Sequence, residues 1–267
     1  MSRPFSSTLG VPEALAVRRA GLRPLRQVLG VSYYNVGWQQ MPWNTGRGWG
    51  MQGRSGETFE LETQSEVWNL ARRQAIDRLR EEAVACDADA VVGVRIERSH
   101  RDWARGLVEF TAVGTAVRCE RVDLGDVAER PLLCNLSGED VLKLVTHGFW
   151  PVGIVGGSTV AYGATGSRQR WSAGRMFAPN QELPDFTRAM YDARALAMAH
   201  VERDAHALHA HGVVGVTIDR SIREREVDVN STSYTDLIIT MHILGTAIVE
   251  VRHDDAPPPK YLALPLR

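Results

Sequence analysis

The chain has 267 residues, 44% of them hydrophobic and 24% charged, with a formal net charge of −1. That composition is ordinary for a globular protein of one large or two small domains, and it gives no global field favouring nucleic acid or an anionic membrane. Lysine occurs only at Lys143 and Lys260, so arginine supplies nearly all the basic charge, and no apolar run is long enough to span a bilayer. Three cysteines without CxxC spacing, and an N-terminus without an apolar leader core, imply a reducing, cytoplasmic setting.

Taken in order, the first element is a short helical pattern, VPEALAVRRAG, ending at Gly21, a residue suited to a left-handed helix stop. Pro24 then favours extended chain in GLRPLRQVLGVSYYNVGW. A glycine-rich loop carries Trp38, Trp43 and Trp49 and runs to Arg54. A long helix follows, with Ala71, Ala75, Leu79, Ala83 and Cys86 recurring on one face, and then a strand, VVGVRIERS. GLVEFTAVGTAVRCE closes the set as a second strand rich in valine. Gly93 and Gly114 interrupt these strands and predict bulges or close backbone contacts.

The whole pattern then recurs. A linker over 122–135 leads to GEDVLKLVTHG, and GFWPVGIVGGSTVAYGAT repeats Gly21, Pro24, Val28 and Gly30 as Gly148, Pro151, Val155 and Gly157. The second long helix carries Ala193, Ala197, Val201, Ala205 and Leu208 where the first carries its core face. VVGVTIDRS and LIITMHILGTAIVEV match the two closing strands, with an insertion around 224–233. Units this long are duplicated domains rather than solenoid repeats. They run over residues 9–121 and 136–252, and each is predicted as α+β: a long helix on a small antiparallel sheet, preceded by a short helix.

The motifs GRSG (53–56), ADAVVGV (88–94) and GTAV (114–117) resemble those of the YbjQ-like family, also called the "putative heavy-metal-binding domain" family. The second unit keeps GVVGV and GTAI, has SAGR (172–175) near the place of GRSG, and has HAHG at the turn. The resemblance implies two tandem domains similar in fold to the dodecin subunit, with one helix on a three-stranded antiparallel sheet. It also implies homo-oligomers in the form of rings, with a pentamer as the leading stoichiometry. Two fused units depart from the single-domain pattern of the family.

Three constellations are candidates for function. Glu202, His206 and His209 fall at i, i+4 and i+7, so on a continuous helix they share one face opposite the alanines. A carboxylate and two imidazoles suit a divalent transition metal such as zinc, nickel or copper. The competing reading is a solvated face, favoured because the first unit has Arg80, Val84 and Asp87 at those positions. Trp38, Trp43 and Trp49, with Arg54, form the second constellation, suited to packing between subunits and alternatively to stacking on an unidentified small molecule. The cysteines are the third, with Cys86 read as a core thiol. No nucleophile–base motif is present, so the expectation is a non-enzymatic assembly and binding protein, with metal binding and small-molecule binding or catalysis as alternatives.

Overall fold

The computed structural model describes residues 6–35, 56–100, 107–120, 131–167, 182–229 and 232–250. The first half runs α1 (Val11–Arg19), β1 (Leu22–Asn35), β2 (Thr58–Glu60), α2 (Glu62–Val84), β3 (Ala90–His100) and β4 (Leu107–Cys119). After β5 (Leu132–Leu133) the second half runs α3 (Gly138–Thr146), β6 (Phe149–Gly163), α4 (Pro184–Ala207), β7 (Gly212–Val229) and β8 (Thr232–Glu250). The element order is therefore mixed α+β, and the expected succession of short helix, strand, long helix and two strands occurs in both halves.

Each short helix starts with its amides satisfied locally. Gly10 N–H donates to Glu13 Oε2 at 2.9 Å, and Ser137 Oγ accepts from the Asp140 amide at 3.2 Å. Each is followed by a glycine at positive φ, Gly21 at 81° and Gly148 at 77°. Both Pro24 and Pro151 sit beside a register shift in the strand that follows. The two short helices pack on each other, with Val17 and Val141 in one buried cluster.

Two sheets form, ordered β1-β4-β3-β5 and β2-β6-β8-β7. Each has the expected core of three antiparallel strands, but each gains a fourth. β5 lies in what the sequence reads as linker, and it pairs in parallel with Ala90 and Val91 of β3. β2 belongs to the first half, yet it pairs with β6 of the second through Thr58↔Gly163 and Glu60↔Ala161. The described residues of the insertion in the second half lie in strands. They lengthen the β7–β8 hairpin, which stays in register from Glu224↔Leu237 to Val229↔Thr232.

The alanine faces do what their spacing predicts. Ala71, Ala75, Leu79 and Ala83 of α2 are buried, as are Ala193, Ala197 and Val201 of α4. Cys86, Ala205 and Leu208 are only partly buried, because the helices are ending there. A Cβ on Gly30 would run into the carbonyl of Ala75, and one on Gly157 into the carbonyl of Ala197. Helix and strand backbones therefore touch at the same place in both halves, which only glycine permits. Gly93 and Gly215 hold positive φ at 63° and 61° inside register shifts of β3 and β7, the expected bulges.

The main departure from two separate two-layer units is α2. It packs on its own sheet and also against Val160, Tyr162 and Ile238 of the second sheet, all in one apolar cluster with Trp68 and Phe110. The two halves thus share a core, with α2 between the sheets.

Candidate functional site

Where α2 meets the second sheet, its side chains take over the hydrogen bonding of a strand edge. Ser65, Asn69 and Arg72 recur at i, i+4 and i+7 and are all buried. The Val160 amide donates to Ser65 Oγ at 2.9 Å. The Ser158 amide donates to Asn69 Oδ1 at 3.0 Å, and Asn69 Nδ2 donates back to the Ser158 carbonyl at 2.7 Å. Arg72 Nη2 donates to the Gly156 carbonyl at 2.6 Å and lies 3.7 Å from the Asp204 carboxylate. The Leu61 amide adds a bond to the Val160 carbonyl at 2.7 Å. An exposed strand edge is a template for unwanted pairing, and this helix seals it.

Beside that seam lies a cleft of about 380 Å³ between β3 and the β7–β8 pair. Its polar wall includes Arg72, Arg98 and His242. His242 stacks on Trp68 with centroids 4.7 Å apart and planes 8° off parallel, and Phe110 meets both rings edge-on. The Arg98 guanidinium carbon sits 5.2 Å from the Trp68 ring centre. His242 Nδ1 is 2.8 Å from Ser158 Oγ, while Nε2 is sealed from solvent with no partner among the described residues.

The electrostatics follow from burial among cations. Burial depresses the His242 pKa well below the usual imidazole value, and the neighbouring Arg98 and Arg72 push the same way, so the ring is neutral. Burial also pulls Arg72 down to about 10, opposed by Asp204. Arg98 is lowered by burial, opposed by Asp219 at 3.7 Å. Arg72 Nε has no partner among the described residues.

The residues singled out from sequence lie elsewhere. Glu202 and His206 are exposed on α4, but that helix ends at Ala207, and His209 takes φ 51° in the turn after it. The helical spacing that joins the three in sequence therefore does not extend to His209. Asp87 takes φ 54° at the matching place after α2, so this left-handed turn belongs to the fold. Trp38, Trp43, Trp49 and Arg54 lie outside the described residues. The seam residues Ser65, Asn69 and Arg72 went unnoticed in sequence. Their one signal was a polar i, i+4, i+7 stripe flanking the alanines of α2.

Residues 51–120 match the family model described as "Putative heavy-metal-binding", named YbjQ_1. A donor set for such a metal is not gathered among the described residues, where no three His, Cys, Asp or Glu side chains come together. The buried Cys134 thiol is no substitute, since burial pushes it up to about 11 and keeps it protonated. The chain is 48% identical over 58 residues to two Halobacterium salinarum proteins, UPF0145 protein OE_4416R and UPF0145 protein VNG_2432C, covering 22% of this chain and 54% of each of them. It is 35% identical over 216 residues to the "Encapsulin nanocompartment protein Rv1762c" of Mycobacterium tuberculosis, covering 79% of this chain and 76% of that one. An identity of that level over most of both chains means that this protein belongs to the same family as Rv1762c.

Proposed function

We propose that the protein is a non-enzymatic assembly and binding protein, which joins further copies of itself through the kind of seam it already forms internally. In this reading residues 136–252 are a diverged second copy of 9–121, and each copy is a YbjQ-like domain. One observation carries the proposal: on both sides of the internal seam the counterparts are open to solvent, with Tyr191, Arg194, Leu29 and Tyr33 exposed and Thr187 and Val31 half-buried. Ser65, Asn69 and Arg72 of α2 correspond to Thr187, Tyr191 and Arg194 of α4, where Tyr191 is 68% exposed. Gly156, Ser158 and Val160 of β6 correspond to Leu29, Val31 and Tyr33 of β1, where Leu29 and Tyr33 are 46% and 56% exposed.

The charges match as well. Inside the chain, Arg72 faces Asp204, which accepts the Gly156 amide at 3.4 Å. The counterpart of Asp204 is Glu82, which accepts the Leu29 amide at 2.6 Å, and the counterpart of Arg72 is Arg194. Docking α4 of one chain on β1 of the next would bring Arg194 to Glu82. Such a head-to-tail contact uses two different surfaces, so it closes into a ring or runs on as a filament. A closed ring of five chains is the form favoured by the family resemblance. The name of Rv1762c, which refers to a nanocompartment, supports self-assembly.

Sedimentation velocity over a range of concentrations tests this. The parent chain should sediment as an oligomer, and Arg194→Glu, on an exposed helix face, should release monomers that keep the parent's circular dichroism. A parent that sediments as a monomer at every concentration would overturn the proposal.

A further inference from the structure

We propose that the cleft between β3 and the β7–β8 pair is a binding site for a small organic anion, with its phosphate or carboxylate held by Arg72, Arg98 and His242 and its apolar body held between Ile96, Phe110 and Ile218. The site lies within one chain and stands or falls separately from assembly.

Three observations point to the ligand class. First, two buried polar atoms on the cleft-lining side chains lack partners among the described residues, Arg72 Nε and His242 Nε2. A buried polar atom left unpaired is costly, and both belong to groups held in place by other bonds. Arg72 is fixed by the Gly156 carbonyl, and His242 by Ser158 and by its stack on Trp68. In the tautomer the proposal assigns, Ser158 Oγ donates to Nδ1 and the neutral ring carries its proton on Nε2, where an anion's oxygen would be its acceptor.

Second, the sign of the site is positive. Arg72, Arg95 and Arg98 line the cleft against one acid, Asp219. The Asp219 side chain is 65% exposed and 3.7 Å from Arg98, a solvent-screened pair that leaves the guanidinium able to take a closer anion. Arg98 is also preorganised, because its guanidinium lies against Trp68. Third, the cleft is larger than an inorganic anion needs, and Ile96, Phe110, Ile218 and Leu244 give it apolar walls. A volume of about 380 Å³ with a few convergent polar groups fits a small molecule that has both a charged head and an apolar body.

The first and second halves differ here in a way that assigns the cleft to the internal seam. In the matching sequence positions, His242 becomes Thr111 and Arg98 becomes Arg220, which is exposed on β7 and does not line the cleft. Arg220 is thus a natural control.

The test is isothermal titration of the full chain with phenyl phosphate, compared with phenol and with inorganic phosphate. One phenyl phosphate should bind per chain, at least about tenfold more tightly than phenol or inorganic phosphate, a ratio worth about 1.4 kcal/mol. Arg98→Gln should weaken it at least about tenfold, and Arg220→Gln should leave it unchanged. Because Arg98 is partly buried, the thermal midpoint of each variant is measured alongside. As a readout independent of any substitution, the His242 ring resonances of the parent should shift on adding phenyl phosphate. No preference for phenyl phosphate over phenol, parent-like affinity in folded Arg98→Gln, or unmoved His242 resonances would each overturn the assignment.

Discussion

His242 illustrates how much a single buried ring can report. Its surroundings come from several elements: Arg72 and Trp68 on α2, Arg98 on β3, Phe110 on β4 and Ser158 on β6. With a folded-state pKa well below the usual value of about 6.5, His242 stays neutral in the folded chain while the unfolded chain takes up a proton. The unfolded state then binds more protons below about pH 6.5, so the contribution of this residue is full above that pH and is lost as pH falls. Chemical denaturation at pH 7.5 and pH 5.5 should show His242→Gln losing less stability on acidification than the parent, by up to about 1.4 kcal/mol per pH unit. Equal losses in the two proteins would mean that His242 titrates normally. Asn69 is the second informative residue, because it pairs with both the amide and the carbonyl of Ser158. Asn69→Ala leaves both of those buried groups without their partner and should cost about 2–3 kcal/mol in urea denaturation.

At the scale of elements, the long helices were legible because alanine at a period of about four marks one face pressed close against the core. Gly30 and Gly157 were legible as repeated positions, but their purpose required the helix carbonyls beneath them. Gly30→Ala and Gly157→Ala should each lower stability by about 1–3 kcal/mol, since a backbone carbonyl cannot move aside as a side-chain tip can. Gly212→Ala, whose new methyl would meet only Ile248 Cγ1 at 3.8 Å, should stay within about 0.5 kcal/mol of the parent. The end of α4 was not legible to the residue, and that mattered. A helical wheel joins Glu202, His206 and His209, but the left-handed turn that His209 shares with Asp87 breaks the wheel. Titration with Zn²⁺ should therefore give the same isotherm for the parent and for the His206→Ala, His209→Ala double variant. Loss of a stoichiometric site in the double variant would restore the histidine cluster as a metal centre.

At the scale of the whole molecule, the sequence shows a repeated element order and cannot show that the two halves interlock. Periodicity reports which face of α2 is apolar, but not that its polar flank reaches the edge of a strand over eighty residues further along the chain. Nor does it report that β2 leaves its own half to join the second sheet. Those contacts are specified by tertiary packing, which overrides local pattern. Their asymmetry makes the last prediction. The outward amides of β6 at Ser158 and Val160 are bonded to side chains of α2 within the chain, so hydrogen exchange there should be slow whatever the assembly state. The matching amide on β1 is that of Val31, and in the proposed ring it would be covered by α4 of the next chain. Amide exchange measured on the parent and on Arg194→Glu should then separate the two edges. Val31 should be protected in the parent and exchange at least about tenfold faster in the released monomer, while Ser158 and Val160 hold their protection in both. If Val31 exchanges equally fast in parent and variant, β1 is not the edge that copies use to meet, and any assembly must run through another surface.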